Sequence, residues 1–135
     1  MSRWILFLNL ALAVGAAAPA SAEGDPDAGA EIFARHCATC HGVGGQGDGP
    51  MSVLLAVPVP DLTGFAERAG GTLPVARTVS IIEGDAVLRG HGSAMPVFGP
   101  ITTGPSAVLD ANDGSPVQTT QSVADLIAYL TALQR

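Results

Sequence analysis

The sequence predicts a small helical domain whose first and last helices cross, and three observations carry that prediction. An apolar face recurs at helical spacing early in the chain, through Gly29, Ile32, Phe33 and Cys37. A stronger one closes it, through Val123, Leu126, Ile127, Leu130 and Leu133, with Tyr129 beside them. One face has a glycine notch and the other large side chains, a pairing suited to close crossing.

Residues 1–22 read as an export leader. Arg3 gives a short basic start, residues 4–18 are almost wholly apolar, and Ala20-Ser21-Ala22 is a small-residue cleavage site. An apolar stretch of about fifteen residues is short for a membrane span, which needs roughly 20. Cleavage after Ala22 is therefore expected, with a membrane anchor only if the leader stays. The absence of a twin arginine points to the general, unfolded export route and a periplasmic destination. Residues 23–135 then form one domain with one modest core.

Asp25-Pro26-Asp27 opens the first helix with an Asp N-cap, Pro at the first helical position and an acid in the first turn. Gly inside a helix costs about 1 kcal/mol against Ala, so Gly29 is expected to admit another backbone at close range. The helix leads into Cys37-Ala38-Thr39-Cys40-His41, which holds both cysteines of the chain. Thiols at this spacing can each add across a haem vinyl group, and the histidine that follows supplies an axial nitrogen. A redox dithiol would want a thioredoxin-like frame, which the glycine run after His41 does not resemble. A structural zinc site would want a second ligand pair. A bare disulfide would be an unfinished form of the same site.

Residues 42–50 carry so many glycines that they must be loop; a phosphate loop is excluded because the chain has no lysine. Residues 51–57 are expected to form a short helix stopped by Pro58-Val59-Pro60. Residues 73–83 read as a helix with Val75, Val79 and Ile82 inward and Gly84 ending it. Residues 103–120 read as a small surface insertion: Ala107-Val108-Leu109 and Pro116-Val117 flank Asp113-Gly114, a two-residue hairpin turn. Pro116 restricts the second strand to a short edge. The acids there suggest a calcium loop, but glycine falls one place early and no glutamate closes it. Ser122-Val123-Ala124-Asp125 is a capping-box-like start for the last helix.

Without the leader, five arginines face twelve acids, a formal charge of −7. Nucleic acid and anionic lipid are poor partners for such a surface, and a protein with a basic docking patch is a good one.

These residues resemble the class I c-type cytochromes over most of residues 23–135. The resemblance rests on Gly29 and Phe33 before Cys37-Ala38-Thr39-Cys40-His41, and on Gly42 and Gly47-Asp48-Gly49-Pro50 after it. It continues through Pro60-Asp61-Leu62-Thr63 and Met95-Pro96 to the closing Asp125-Leu126-Ile127-Ala128-Tyr129-Leu130. It implies an all-α domain wrapped round one covalent haem c, with a His/Met-ligated iron that carries single electrons between redox partner proteins. On that likeness Cys37 and Cys40 attach the haem, His41 is the proximal ligand and Met95 the distal one.

Met95 also fits by its own chemistry. A thioether is a soft ligand suited to iron, and Pro96 keeps Met95 extended in a loop among small residues. Met51 and His91 are its rivals; Met51 follows His41 too closely to reach the opposite haem face, and His91 would give a bis-histidine iron. His36 is expected beside the haem edge or in solvent, and Arg77 and Arg89 as partners of the haem propionates. The chain departs from the family in having no tryptophan after the leader, no lysine ring and a longer stretch after Phe98. The expected role is a periplasmic carrier rather than an enzyme. The alternative is an electron-transfer subunit docked to a periplasmic dehydrogenase or sulfur-oxidising enzyme.

Overall fold

In the computed structural model, which describes residues 23–84, 95 and 99–135, the first helix α1 (Pro26–His36) begins where its cap is written. The Asp25 carboxylate accepts from the backbone N–H of Asp27 (2.9 Å) and Ala28 (3.4 Å). The expected leader, and Arg89, His91, Pro96 and Phe98, lie outside the described residues. After α1 the Cys37 N–H donates to the Phe33 carbonyl at 2.8 Å, and the four-residue α2 (Ala38–His41) follows at once.

The helix expected over residues 51–57 is only a 3-10 turn, Ser52–Leu54. Val53 and Leu54 are 84% and 72% exposed, so no buried face stabilises a longer helix there. The chain instead forms a short helix further on, α3 (Phe65–Arg68). Four residues are too few to show a period, and the sequence gives no sign of it. The next helix, α4 (Val75–Glu83), starts two residues later than expected, with Pro74 as its N-cap. Proline disfavours the helical region for the residue before it, which keeps Leu73 out. Val75, Val79 and Ile82 are buried and Gly84 ends the helix at φ 73°, both as expected.

The hairpin forms from β1 (Ser106–Asp110) and β2 (Pro116–Thr120), antiparallel, with Ser106 opposite Thr120 and Asp110 opposite Pro116. Its connection is longer than the expected two-residue turn. The Ala111 N–H donates to the Ser115 carbonyl at 2.9 Å, with positive φ at both Asn112 and Gly114. Asp110 accepts from the N–H of Asn112 and Gly114, and Asp113 from that of Ser115, so these acids are engaged in holding their own loop. The hairpin is also more than a surface insertion. Ala107 is buried and Leu109 and Val117 pack on the core. Asn112 donates to the Leu73 carbonyl at 2.7 Å and Thr119 to the Glu83 carboxylate at 2.6 Å.

The last helix, α5 (Gln121–Ala132), is capped by Thr120, not Ser122. The Thr120 hydroxyl accepts from the Val123 N–H (3.3 Å) and donates to the Ile101 carbonyl (2.7 Å). Strand β2 runs straight into the helix, which moves its start forward and releases Asp125. That carboxylate accepts from the Asp25 N–H at 2.9 Å and the Gln121 amide at 2.8 Å, joining the two terminal helices.

Helices α1 and α5 cross at Gly29. A Cβ there would stand 2.1 Å from the Asp125 carbonyl oxygen and 2.8 Å from the Tyr129 Cβ, so only glycine fits. The Phe33 and Tyr129 rings meet just beyond, centroids 5.2 Å apart and tilted by 49°. Phe33, Val123, Leu126, Ile127 and Leu130 form the core with the inner face of α4. The domain is thus mainly helical with one short hairpin. Among the described residues no helix is long and apolar enough to cross a membrane.

Candidate functional site

Helices α1, α3, α4 and α5 leave a cavity of about 440 Å³ between them, within the range of roughly 300–1,000 Å³ of small-molecule sites. Phe33, Leu62, Leu73, Ile82, Leu126 and Leu130 make its walls apolar. Cys37, His41 and Met95, distant in sequence, line this one space. Cys40 is half-buried on α2 and is not among the lining residues. Both its N–H and that of His41 donate to the Cys37 carbonyl, at 3.1 and 2.9 Å, so the cysteines and histidine share one helical turn.

Both thiols are free. Burial, with the neighbouring Cys40, pushes the Cys37 thiol up to about 11. A redox dithiol needs the opposite, a thiolate stabilised at neutral pH. Among the described residues no group of three His, Cys, Asp or Glu side chains could hold a metal ion.

His41 is buried, and burial holds it below the ordinary imidazole value of 6.5, hence neutral at pH 7. Its Nδ1 lies 3.4 Å from the Pro60 carbonyl oxygen. A carbonyl only accepts, so Nδ1 carries the proton and donates, and Nε2 keeps the lone pair that a metal needs. The loops on either side are tied together around this contact. The Gly47 N–H donates to the His41 carbonyl and the Leu62 N–H to the Gly45 carbonyl, each at 2.7 Å. Gly47 has φ 82°, and a Cβ on it would meet the Val59 carbonyl at 2.4 Å.

Two cations, Arg68 and Arg77, also line the cavity, with guanidinium carbons 6.0 and 5.9 Å from the Phe65 ring centroid. Arg77, one of the two arginines expected to meet the haem propionates, lines the cavity. Arg68 was not foreseen, since it sits on the helix that the sequence conceals. Met51 is 40% exposed and does not line the cavity, nor does the half-buried His36.

The donor set fits a haem. Two thiols and a neutral imidazole lie on one turn, a thioether lines the same apolar space, and the Arg68 and Arg77 guanidinium groups stand at its wall. Compared with known families, residues 26–134 match the Cytochrome c family. No curated protein and no solved structure matches the chain.

Proposed function

The chain belongs to the cytochrome c family, and from that premise we propose that it is an exported, periplasmic one-electron carrier with one haem c. In this reading Cys37 and Cys40 bind the haem through thioethers, and His41 and Met95 are its axial ligands. One observation carries it: Cys37, His41 and Met95 converge on a single apolar cavity.

When bound, the haem supplies the chemistry, a one-electron exchange at iron between ferrous and ferric states. The chain does the rest. His41 offers Nε2 while Pro60 accepts its Nδ1 proton, which fixes the ring and raises its donor strength. Met95 offers a soft sulfur that favours the reduced metal. The apolar walls exclude water and would keep the charge change in a low-dielectric space, while Arg68 and Arg77 would offset the carboxylates of a bound haem. No bond of a substrate is made or broken.

The test is the purified holoprotein. Pigment should stay with the polypeptide in acidified ketone and be lost from it when both cysteines are changed to serine. The ferric protein should show the weak near-infrared sulfur-to-iron band, which Met95→Ala removes. A pigment that extracts freely overturns the attachment, and a band that survives Met95→Ala overturns the ligation.

One observation favours the second reading, a subunit docked to a larger redox enzyme. Val43, Val53, Leu54 and Val57 are 86%, 84%, 72% and 55% exposed along the loop after α2. Gel filtration of native extract separates the two, because a free carrier elutes as a small monomer.

A further inference from the structure

The contact that orients His41 depends on one carbonyl, that of Pro60, on a segment with little regular structure of its own. Besides the Leu62 N–H bond to the Gly45 carbonyl, that segment is held by the end of the described chain. The Gln134 amide donates to the carbonyls of Leu62 (3.0 Å) and Leu130 (2.7 Å). The same amide's oxygen accepts from the Ala66 N–H at 2.8 Å, pinning the start of α3. Arg135 grips the next residues from the same side. Its backbone N–H donates to the Thr63 carbonyl (3.1 Å) and its Nε to the Thr63 hydroxyl (2.7 Å), while Nη2 pairs with the Asp61 carboxylate. The other Asp61 oxygen accepts from the Thr63 N–H (2.8 Å) and hydroxyl (2.6 Å), and Arg68 donates to the Asp61 carbonyl.

The carbonyls of residues 61, 62 and 63 are therefore each held by a different side chain or backbone donor, from Arg68, Gln134 and Arg135 in turn. A segment fixed at three successive residues cannot shift the carbonyl just before them without breaking several hydrogen bonds together. The Thr63 hydroxyl, aided by Arg135 and Arg68, holds the Asp61 carboxyl below the usual carboxylate range, consistent with a charged member of the network.

We propose that Gln134 and Arg135 are positioning residues for His41. They hold the 60–63 segment so that Pro60 accepts the ring proton, and through that bond they set the strength of His41 as a ligand. This rests on the haem reading given above. An Nδ1–H that donates makes Nε2 a stronger donor, which favours the ferric state. Loosening the clamp weakens that donation and favours the ferrous state.

The experiment compares holoprotein carrying Gln134→Ala, Arg135→Ala and Arg135→Lys with the unaltered protein, by redox titration and by proton NMR of the ferrous form. Gln134→Ala and Arg135→Ala should each raise the ferrous-to-ferric ratio at fixed potential by about threefold to tenfold, tenfold being about 59 mV for one electron. The His41 ring proton should exchange with solvent faster in the same variants. Arg135→Ala leaves the backbone N–H to the Thr63 carbonyl in place and removes only the side-chain grip of a residue that, unlike Gln134, does not line the cavity. Arg135→Lys keeps the charge beside Asp61 and should keep most of the parental potential. Variants that unfold more easily yet keep the parental potential and ring-proton exchange would overturn the positioning role and leave the haem reading intact. An unaltered protein that holds no covalent haem would overturn that reading and the inference with it.

Discussion

Replacing Gly29 by alanine tests the helix crossing on which the cavity depends. The added Cβ would meet the Asp125 carbonyl oxygen at 2.1 Å, its carbon at 2.6 Å and the Tyr129 Cβ at 2.8 Å. All three atoms belong to the body of α5, so no flexible side-chain end can swing aside. Ordinary contact begins near 3.4 Å, and the helices must part by about 1 Å to reach it. Parting them loosens Phe33 against Tyr129 and opens the layer containing Val123 and Leu126. Overpacking of this kind costs roughly 1–3 kcal/mol or more, and alanine's better helix propensity returns only about 1 kcal/mol. A net loss of about 1–2 kcal/mol lowers the Tm of a domain this size by about 5–10 °C. Circular dichroism melts of the holoprotein measure it. Gly44→Ala is the control, because a Cβ there meets only Gln46 side-chain carbons at 3.9 Å; its melting point should barely move. If Gly29→Ala melts at or above the parental temperature, α1 and α5 do not cross at this residue and the argument fails.

Three further outcomes are expected. Thr120→Ala removes both the α5 cap and the bond to the Ile101 carbonyl, costing about 1–2 kcal/mol in urea denaturation. Ser122→Ala should cost less than about 0.5 kcal/mol, and the reverse ranking would return the cap to Ser122. Asp61→Asn should destabilise the fold at neutral pH. Because the folded Asp61 carboxyl is held below the ordinary value of 3.8, its contribution is present above that value and is lost as pH falls below it. The gap between variant and parent in urea midpoint should therefore close in acid, and a gap that is constant from pH 7 to below 3 would refute the charged network. Finally, oxidation by a cationic metal complex should slow about threefold as salt shortens the screening length from about 30 to 8 Å, and oxidation by an anionic complex should quicken. Rates that are flat with both oxidants would show that the acids do not steer encounters.

What the sequence made legible was whatever local chemistry decides. The Asp25 cap, the Gly29 notch, the inner face of α4 and its Gly84 stop each follow from residues within a turn or two of one another. The Cys37-Ala38-Thr39-Cys40-His41 motif was equally local, and its histidine lines the cavity. The failures share a cause, which is dependence on distant neighbours. Residues 51–57 have helical apolarity but nothing to bury it against. Thr120 becomes the cap because a hydrogen bond to Ile101 and the incoming strand place it there. Arg68, Gln134 and Arg135 look like ordinary surface residues until α3 and the 60–63 segment come together around them. No spacing rule could have linked residues 61 and 135.

The hairpin has a consequence for Met95 that is a matter of chain statistics. Thr119 of β2 ties Glu83 at the end of α4, and Thr120 ties the Ile101 carbonyl. Residues 83 and 101 stand on either side of Met95 in the sequence, so one ribbon helps to fix both of the chain positions between which it lies. Closing a span between fixed ends costs less entropy the shorter it is, by about 0.6 kcal/mol for each halving. In the proposed reading, a ribbon with no residue in the cavity wall thereby helps to fix the ends of the segment that would bring Met95 to the haem.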